Sequence, residues 1–290
     1  MLAFLAPIAH RLIRWRYGIT PDAVLNGDPQ PGDPSADVAA ELKTAVNAMK
    51  AEAVDLDSGR VNYATLRLSA AYAEYRRCAA RLRAFNPRLL AAREERLAFW
   101  INLYNALIVD AVIRFEVKSS VQEVPGFFWR AAYCVGGVRF SAFDVEYGVL
   151  RANAGHPAIP GPQFGLGDPR RAQRLRALDP RVHFALVCAA RSCPPIAVYE
   201  ADEIDSQLEL AAQAFVNSGG AEVDVDRNEV RLSRIFQWYA PDFGGPPLGW
   251  GDMRPVLRCL AQWVTDEPAR RRLREGNLTV KYADYDWSLN

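Results

Sequence analysis

The stretch RVHFALVCAARSCPPI, residues 181–196, brings together one of three histidines and two of five cysteines in this chain of 290 residues. A thiol acts as a nucleophile when a base, a cation or a helix N-terminus lowers its pKa. Cys193 meets that description best: it follows Arg191 and Ser192 and precedes two prolines that stiffen the loop. His183 is the candidate base, and Asn105, Glu146 or Asp242 could orient its ring. Together these residues predict a thiol-dependent hydrolase or an acyl or peptidyl transferase, with Cys193 as nucleophile, His183 as base and Asn105 or Asp242 as orienter. Two other readings stand beside it. One is a non-catalytic binding or scaffold domain with architectural buried His and Asn. The other is a thiol redox or metal-binding protein using Cys188 and Cys193, in which a disulfide between them is sterically accessible.

The run VHFALVCAA is apolar on alternate and intervening positions alike, as in a strand buried on both faces. In a regular strand His183 shares a face with Ala185 and Val187, and Cys188 points the other way. That alternation separates His183 from Cys188 and leaves Cys188 as a small core hydrophobe. A strand from 183 to 188 is on the order of 17 Å long, so Cys193 would have to fold back along it to meet His183. Zinc ligation by His183, Cys188 and Cys193 matches no common spacing, and no cofactor or metal is expected.

Elsewhere the expected substrate-contacting residues are Asn102, Glu146, Arg151, Arg181, Trp238 and Tyr239. The arginines, with Arg170, could bind a carboxylate or phosphate if they converged. WYAPDFGG gathers aromatic rings around the single carboxylate of Asp242, as in a packed corner or a pocket wall. Asn102, Asn105 and Asp110 lie in a helix, about 90–115, that is apolar all round and therefore buried. A buried amide without a partner costs roughly 1–3 kcal/mol. Each must then be bonded, either to a loop backbone or within a polar pocket.

Around this helix the sequence predicts a helix from an N-cap at Ser35 to about Glu52, and another over 64–85. It predicts a hairpin over 132–141 turning at Gly136-Gly137, and a short helix capped by Ser141. Residues 152–180 read as an irregular binding loop. A helix over 201–218, a hairpin around Asp226-Arg227-Asn228 and a last helix over 253–265 complete the chain. The expected class is α/β or α+β, a single main domain with a buried central helix on a small sheet. The expected division is a helical extension and linker, 1–54, and a main domain, 55–290.

The net charge of +1 offers no electrostatic drive toward nucleic acid. A small molecule or peptide is the expected substrate. The N-terminus places basic residues after a short apolar run, the reverse of a signal peptide, so the expected location is cytoplasmic. Phe4, Leu5, Ile8, Leu12 and Trp15 form a helical stripe with Arg11 and Arg14 beside it. This stripe is expected to dock on the chain's own domain. The alternative is peripheral contact of residues 1–18 with a membrane or protein. No segment is expected to span a bilayer.

Five segments carry a resemblance to a known family: AFWINLYNAL (98–107), DVEYGVLR (144–151), DPRVHFALVCAARSCPP (179–195), LSRIFQWYAPDFG (232–244) and YDWSLN (285–290). In this order they resemble the domain of unknown function 547 family, from about residue 55 onward. The resemblance implies a fold similar to the papain and transglutaminase group of cysteine hydrolases. It also implies relatives that are secreted bacterial proteins or plant proteins with coiled coils. Where the family usually has a histidine after Glu146, this chain has Tyr147. If that histidine serves chemistry, its loss bears on activity here.

Overall fold

A computed structural model describes residues 5–27, 37–55 and 60–290. Phe4 of the N-terminal stripe and the expected cap Ser35 lie outside them. The class is α+β: helices dominate, with two small sheets. The chain packs as two compact units. The first holds residues up to 177, with 186–204 and 287–290, and the second holds 178–185 and 205–286.

The first unit is organised by one helix. Its helices are α1 (Leu5–Arg16), α2 (Val38–Ala53), α3 (Tyr63–Leu68), α4 (Ala70–Arg81), α5 (Arg93–Arg114), α6 (Phe127–Arg130) and the turn α7 (Ala142–Asp144). In α5 every residue from Leu97 to Ile113 is buried. Glu94 and Glu95 stand in its first turn and Arg114 in its last, each opposing the local sign of the helix dipole. By length and apolarity α5 could cross a bilayer, yet 94% of its most apolar window is buried within the protein. α2 packs on α4 and α5. The single helix expected over 64–85 is broken at Ser69, whose backbone is extended and whose Oγ accepts the Tyr72 N–H at 3.0 Å. A serine there caps a new helix more readily than it continues the old one.

β1 (Ala132–Val135) and β2 (Val138–Ser141) form the expected antiparallel hairpin. Gly136 and Gly137 take φ of 58° and 76°, as this two-residue turn requires. Phe140 of β2 meets Trp100 of α5 with ring centroids 4.8 Å apart. Ser141 caps α7 in a reciprocal box with Asp144, and a π-helical segment, Val145–Leu150, continues it.

The second unit contains α8 (Ile204–Phe215) from Asp205 onward, α9 (Ile235–Trp238), α10 (Arg254–Leu260) and α11 (Glu267–Glu275). β3 (Ala221–Asp224) pairs antiparallel with β4 (Glu229–Leu232), with Asn228 at φ 56° in the turn. β5 (Thr279–Tyr282), which the sequence reading missed, adds in parallel to β4. The core is aromatic: Phe184, Phe236, Phe243 and Trp263 are all buried in one cluster.

The expected strand over 183–188 is absent. Pro180–Phe184 is instead a 3₁₀ helix. Asp179 caps it by accepting the Arg181 N–H at 3.1 Å, and Pro180 occupies its first turn. Asp-Pro is a helix-start signal, and it overrides the strand-like apolar run that follows. The alternation argument that set His183 and Cys188 on opposite faces therefore loses its premise.

Candidate functional site

The 3₁₀ turn 180–184 carries His183, and a second 3₁₀ turn, Ala240–Phe243, carries Asp242. His183 Nε2 lies 2.7 Å from Asp242 Oδ2. The His183 side chain is 2% exposed and that of Asp242 5%. The Tyr239 ring stacks on the imidazole with centroids 3.9 Å apart, and Phe243 lies at 5.8 Å. Of the orienting groups the sequence nominated, Asp242 is the one that meets His183. When Nε2 donates its proton to this carboxylate, Nδ1 becomes the basic ring nitrogen.

Arg181, two residues away, is already engaged. It binds Asp179 through two nitrogens at 3.0 and 2.8 Å and Asp205 at 2.7 Å. These carboxylates, Asp179 foremost, push its pKa up and keep it cationic. Trp238 packs against Tyr285, with centroids 4.9 Å apart.

In the first unit Cys188 and Cys193 are joined by a disulfide with Cα atoms 6.3 Å apart. Cys188 is thus a bonded, half-buried loop residue rather than the core hydrophobe expected of a strand. Its N–H also donates to Cys193 Sγ at 3.0 Å. Ala189 adopts φ 61°, a left-handed conformation that a residue with a Cβ takes at a cost. The C-terminal tail braces this loop: Ala190 bridges Leu289, and the Arg191 N–H donates to Ser288 O at 2.9 Å. With the disulfide closed, Cys193 carries no thiol, and a nucleophilic role for it begins with reduction.

Asn105 Oδ1 accepts the Val187 N–H at 3.0 Å. Asn102 clamps Tyr199 from both sides, donating to its carbonyl at 2.8 Å and accepting its N–H at 2.9 Å. Glu146 accepts the Tyr104 hydroxyl at 3.0 Å. Arg151 donates to the Gly155 carbonyl and lies over the Tyr147 ring. Tyr147 packs on Phe143 and on His156, the latter with centroids 4.9 Å apart.

Two networks escaped the sequence reading. Tyr72 and Tyr133 both donate to the buried Asp110, at 2.6 and 2.8 Å, and the Tyr133 and Tyr75 hydroxyls lie 2.6 Å apart. Tyrosines from α4 and β1 carry no sequence mark of this convergence. Asp144 accepts from Ser141 and Gln163 and pairs with Arg170 at 2.8 Å. Burial pushes the Asp144 carboxyl up, but Arg170 and the Ser141 bonds outweigh it and hold it low. Here a signal existed, since Ser141-Ala-Phe-Asp144 has the spacing of a capping box. Among the described residues no group of three or more His, Cys, Asp or Glu side chains is placed to hold a metal ion.

Residues 87–216 match the family model described as "Protein of unknown function, DUF547". No curated protein and no solved structure matches the chain.

Proposed function

Starting from a chain whose residues 87–216 belong to the DUF547 family, we propose that it is a hydrolase or acyl transferase that uses His183 as its base. One observation carries the reading: a buried imidazole held at Nε2 by Asp242 at 2.7 Å and stacked on Tyr239. A carboxylate on one ring nitrogen fixes the tautomer and ring angle, which leaves the other nitrogen to take a proton from the attacking group and return it to the leaving group. Tyr239 prevents the ring from rotating out of that pose.

The test is turnover of a panel of activated esters, thioesters and amides by the reduced protein. Acid–base catalysis contributes roughly 10²- to 10⁴-fold, so His183→Gln and Asp242→Asn should each slow kcat by about that factor. Asp242→Asn should also alter the pH–rate profile. The rival is an architectural tie, in which both variants lose stability while any turnover per folded molecule stays unchanged. That outcome, or no turnover by the wild type, overturns the proposal.

The Cys188–Cys193 disulfide favours a second reading, thiol–disulfide exchange. A dithiol reductant would attack the bond, releasing two protein thiols and leaving oxidised reductant. The Cys188 N–H would then stabilise the Cys193 thiolate.

A further inference from the structure

Helix α1 is seated the other way round from the sequence expectation. Ile8, Leu12 and Trp15 were expected to dock on the domain, yet they are 57%, 59% and 79% exposed. The opposite face is the one that binds. His10 is buried between Trp129 and Phe143, with ring centroids 5.1 and 5.8 Å away. The Tyr17 ring covers Gly126, where no Cβ would fit, and the Tyr17 carbonyl accepts from Arg130 at 2.8 Å. An imidazole with burial-lowered basicity, its pKa about 4, is neutral at pH 7 and suits that aromatic seat. The spacing i, i+4, i+7 puts Ile8, Leu12 and Trp15 in one row along the outer face. Arg11 and Arg16 flank the row and are exposed, and LAPIAHRLIRWR contains no acidic residue.

We propose that this outer face of α1 lies on the surface of an anionic lipid bilayer, with Ile8, Leu12 and Trp15 below the headgroups and Arg11 and Arg16 among the phosphates. The charge argues for this occupant: a purely cationic rim around an apolar row complements a negative interface. Tryptophan is also the residue that membrane interfaces favour. At 1.5 Å per residue, α1 is about 18 Å long, too short to cross a hydrocarbon core of about 30 Å, so it lies in the plane. The His10 and Tyr17 contacts hold the helix so that the row is presented outward.

The test is co-sedimentation of the full chain with vesicles of phosphatidylcholine, with and without phosphatidylglycerol, at low and high salt. The wild type should bind the anionic vesicles and lose most of that binding at high salt. The double variants Leu12→Gln/Trp15→Ser and Arg11→Gln/Arg16→Gln should each bind at least about tenfold more weakly. All four positions are exposed, so circular dichroism and the melting temperature should stay unchanged, which separates lost binding from lost fold. Three results overturn the proposal: no binding by the wild type, equal binding to neutral vesicles, or variants that bind like the wild type. A concentration-dependent dimer abolished by Leu12→Gln/Trp15→Ser, without vesicle binding, would assign the face to a second copy instead.

Discussion

Removing one oxygen atom, in Tyr133→Phe, should destabilise the first unit more than any other single hydroxyl deletion in the cluster around Asp110. Tyr133 has one proton, and it goes to Asp110 Oδ2 at 2.8 Å. The 2.6 Å contact with Tyr75 therefore runs the other way, from the Tyr75 hydroxyl to the Tyr133 oxygen. Tyr133→Phe thus removes a donor from a buried carboxylate and an acceptor from a buried phenol. A hydrogen bond to a charged group is worth about 1.5–3 kcal/mol, and a stranded buried hydroxyl costs about 1–3 kcal/mol. The sum predicts a loss of about 2.5–6 kcal/mol. Tyr72→Phe removes only the 2.6 Å bond to Asp110 Oδ1 and should cost about 1.5–3 kcal/mol. Tyr75→Phe ends the chain without stranding a donor and should cost about 0.5–1.5 kcal/mol. Urea unfolding followed by circular dichroism gives all three.

The same cluster predicts a pH dependence. Burial raises the Asp110 carboxyl above its usual value, against the pull of Tyr72, Tyr133 and the nearby arginines. A raised carboxyl in the fold means a contribution that is complete below about pH 4, where the unfolded group titrates, and lost as pH rises through the folded value. Deleting the Tyr133 hydroxyl removes a group that favours the anion, so the folded value rises further. The cost of Tyr133→Phe should then be larger at pH 7 than at pH 4. A cost under about 1 kcal/mol, an order other than Tyr133, Tyr72, Tyr75, or a cost that shrinks toward neutral pH would refute this account.

Two further predictions concern Gly148 and the cysteines. Gly148→Ala would set a Cβ 2.2 Å from the ring of the buried Phe164, and should cost about 1–3 kcal/mol by thermal melting unless that ring moves. Alkylation of the denatured, unreduced protein should label Cys78, Cys134 and Cys259 alone, and prior reduction should expose Cys188 and Cys193 as well. Mass spectrometry reads the difference, and five labels without reduction would refute the disulfide.

The elements that could be read in advance are those whose signals are local. The all-round apolarity of α5, the Gly136-Gly137 turn and the Ser141 cap each depend on neighbours a few residues apart. β5 was missed because it is only four residues long: Val280 and Tyr282 alternate with the exposed Thr279 and Lys281, but over too short a run at a sheet edge to mark a strand. The 180–184 turn was misread because its apolar residues fit a strand, while the deciding feature is the cap at Asp179 and Pro180.

By itself the sequence determined that α5 must be buried and that its polar residues need partners, because burial without hydrogen bonds is too costly. It also nominated Asp242, Asn105 and Glu146 as polar partners for the His183 imidazole. Only the tertiary structure decided between Asp242, Asn105 and Glu146 for the imidazole, since the choice depends on which turn packs against residues 180–184. It decided, too, that the apolar row of α1 faces outward. Periodicity defines a stripe, but which face docks depends on the aromatic seat formed by Trp129 and Phe143, distant in the chain, and that seat takes His10.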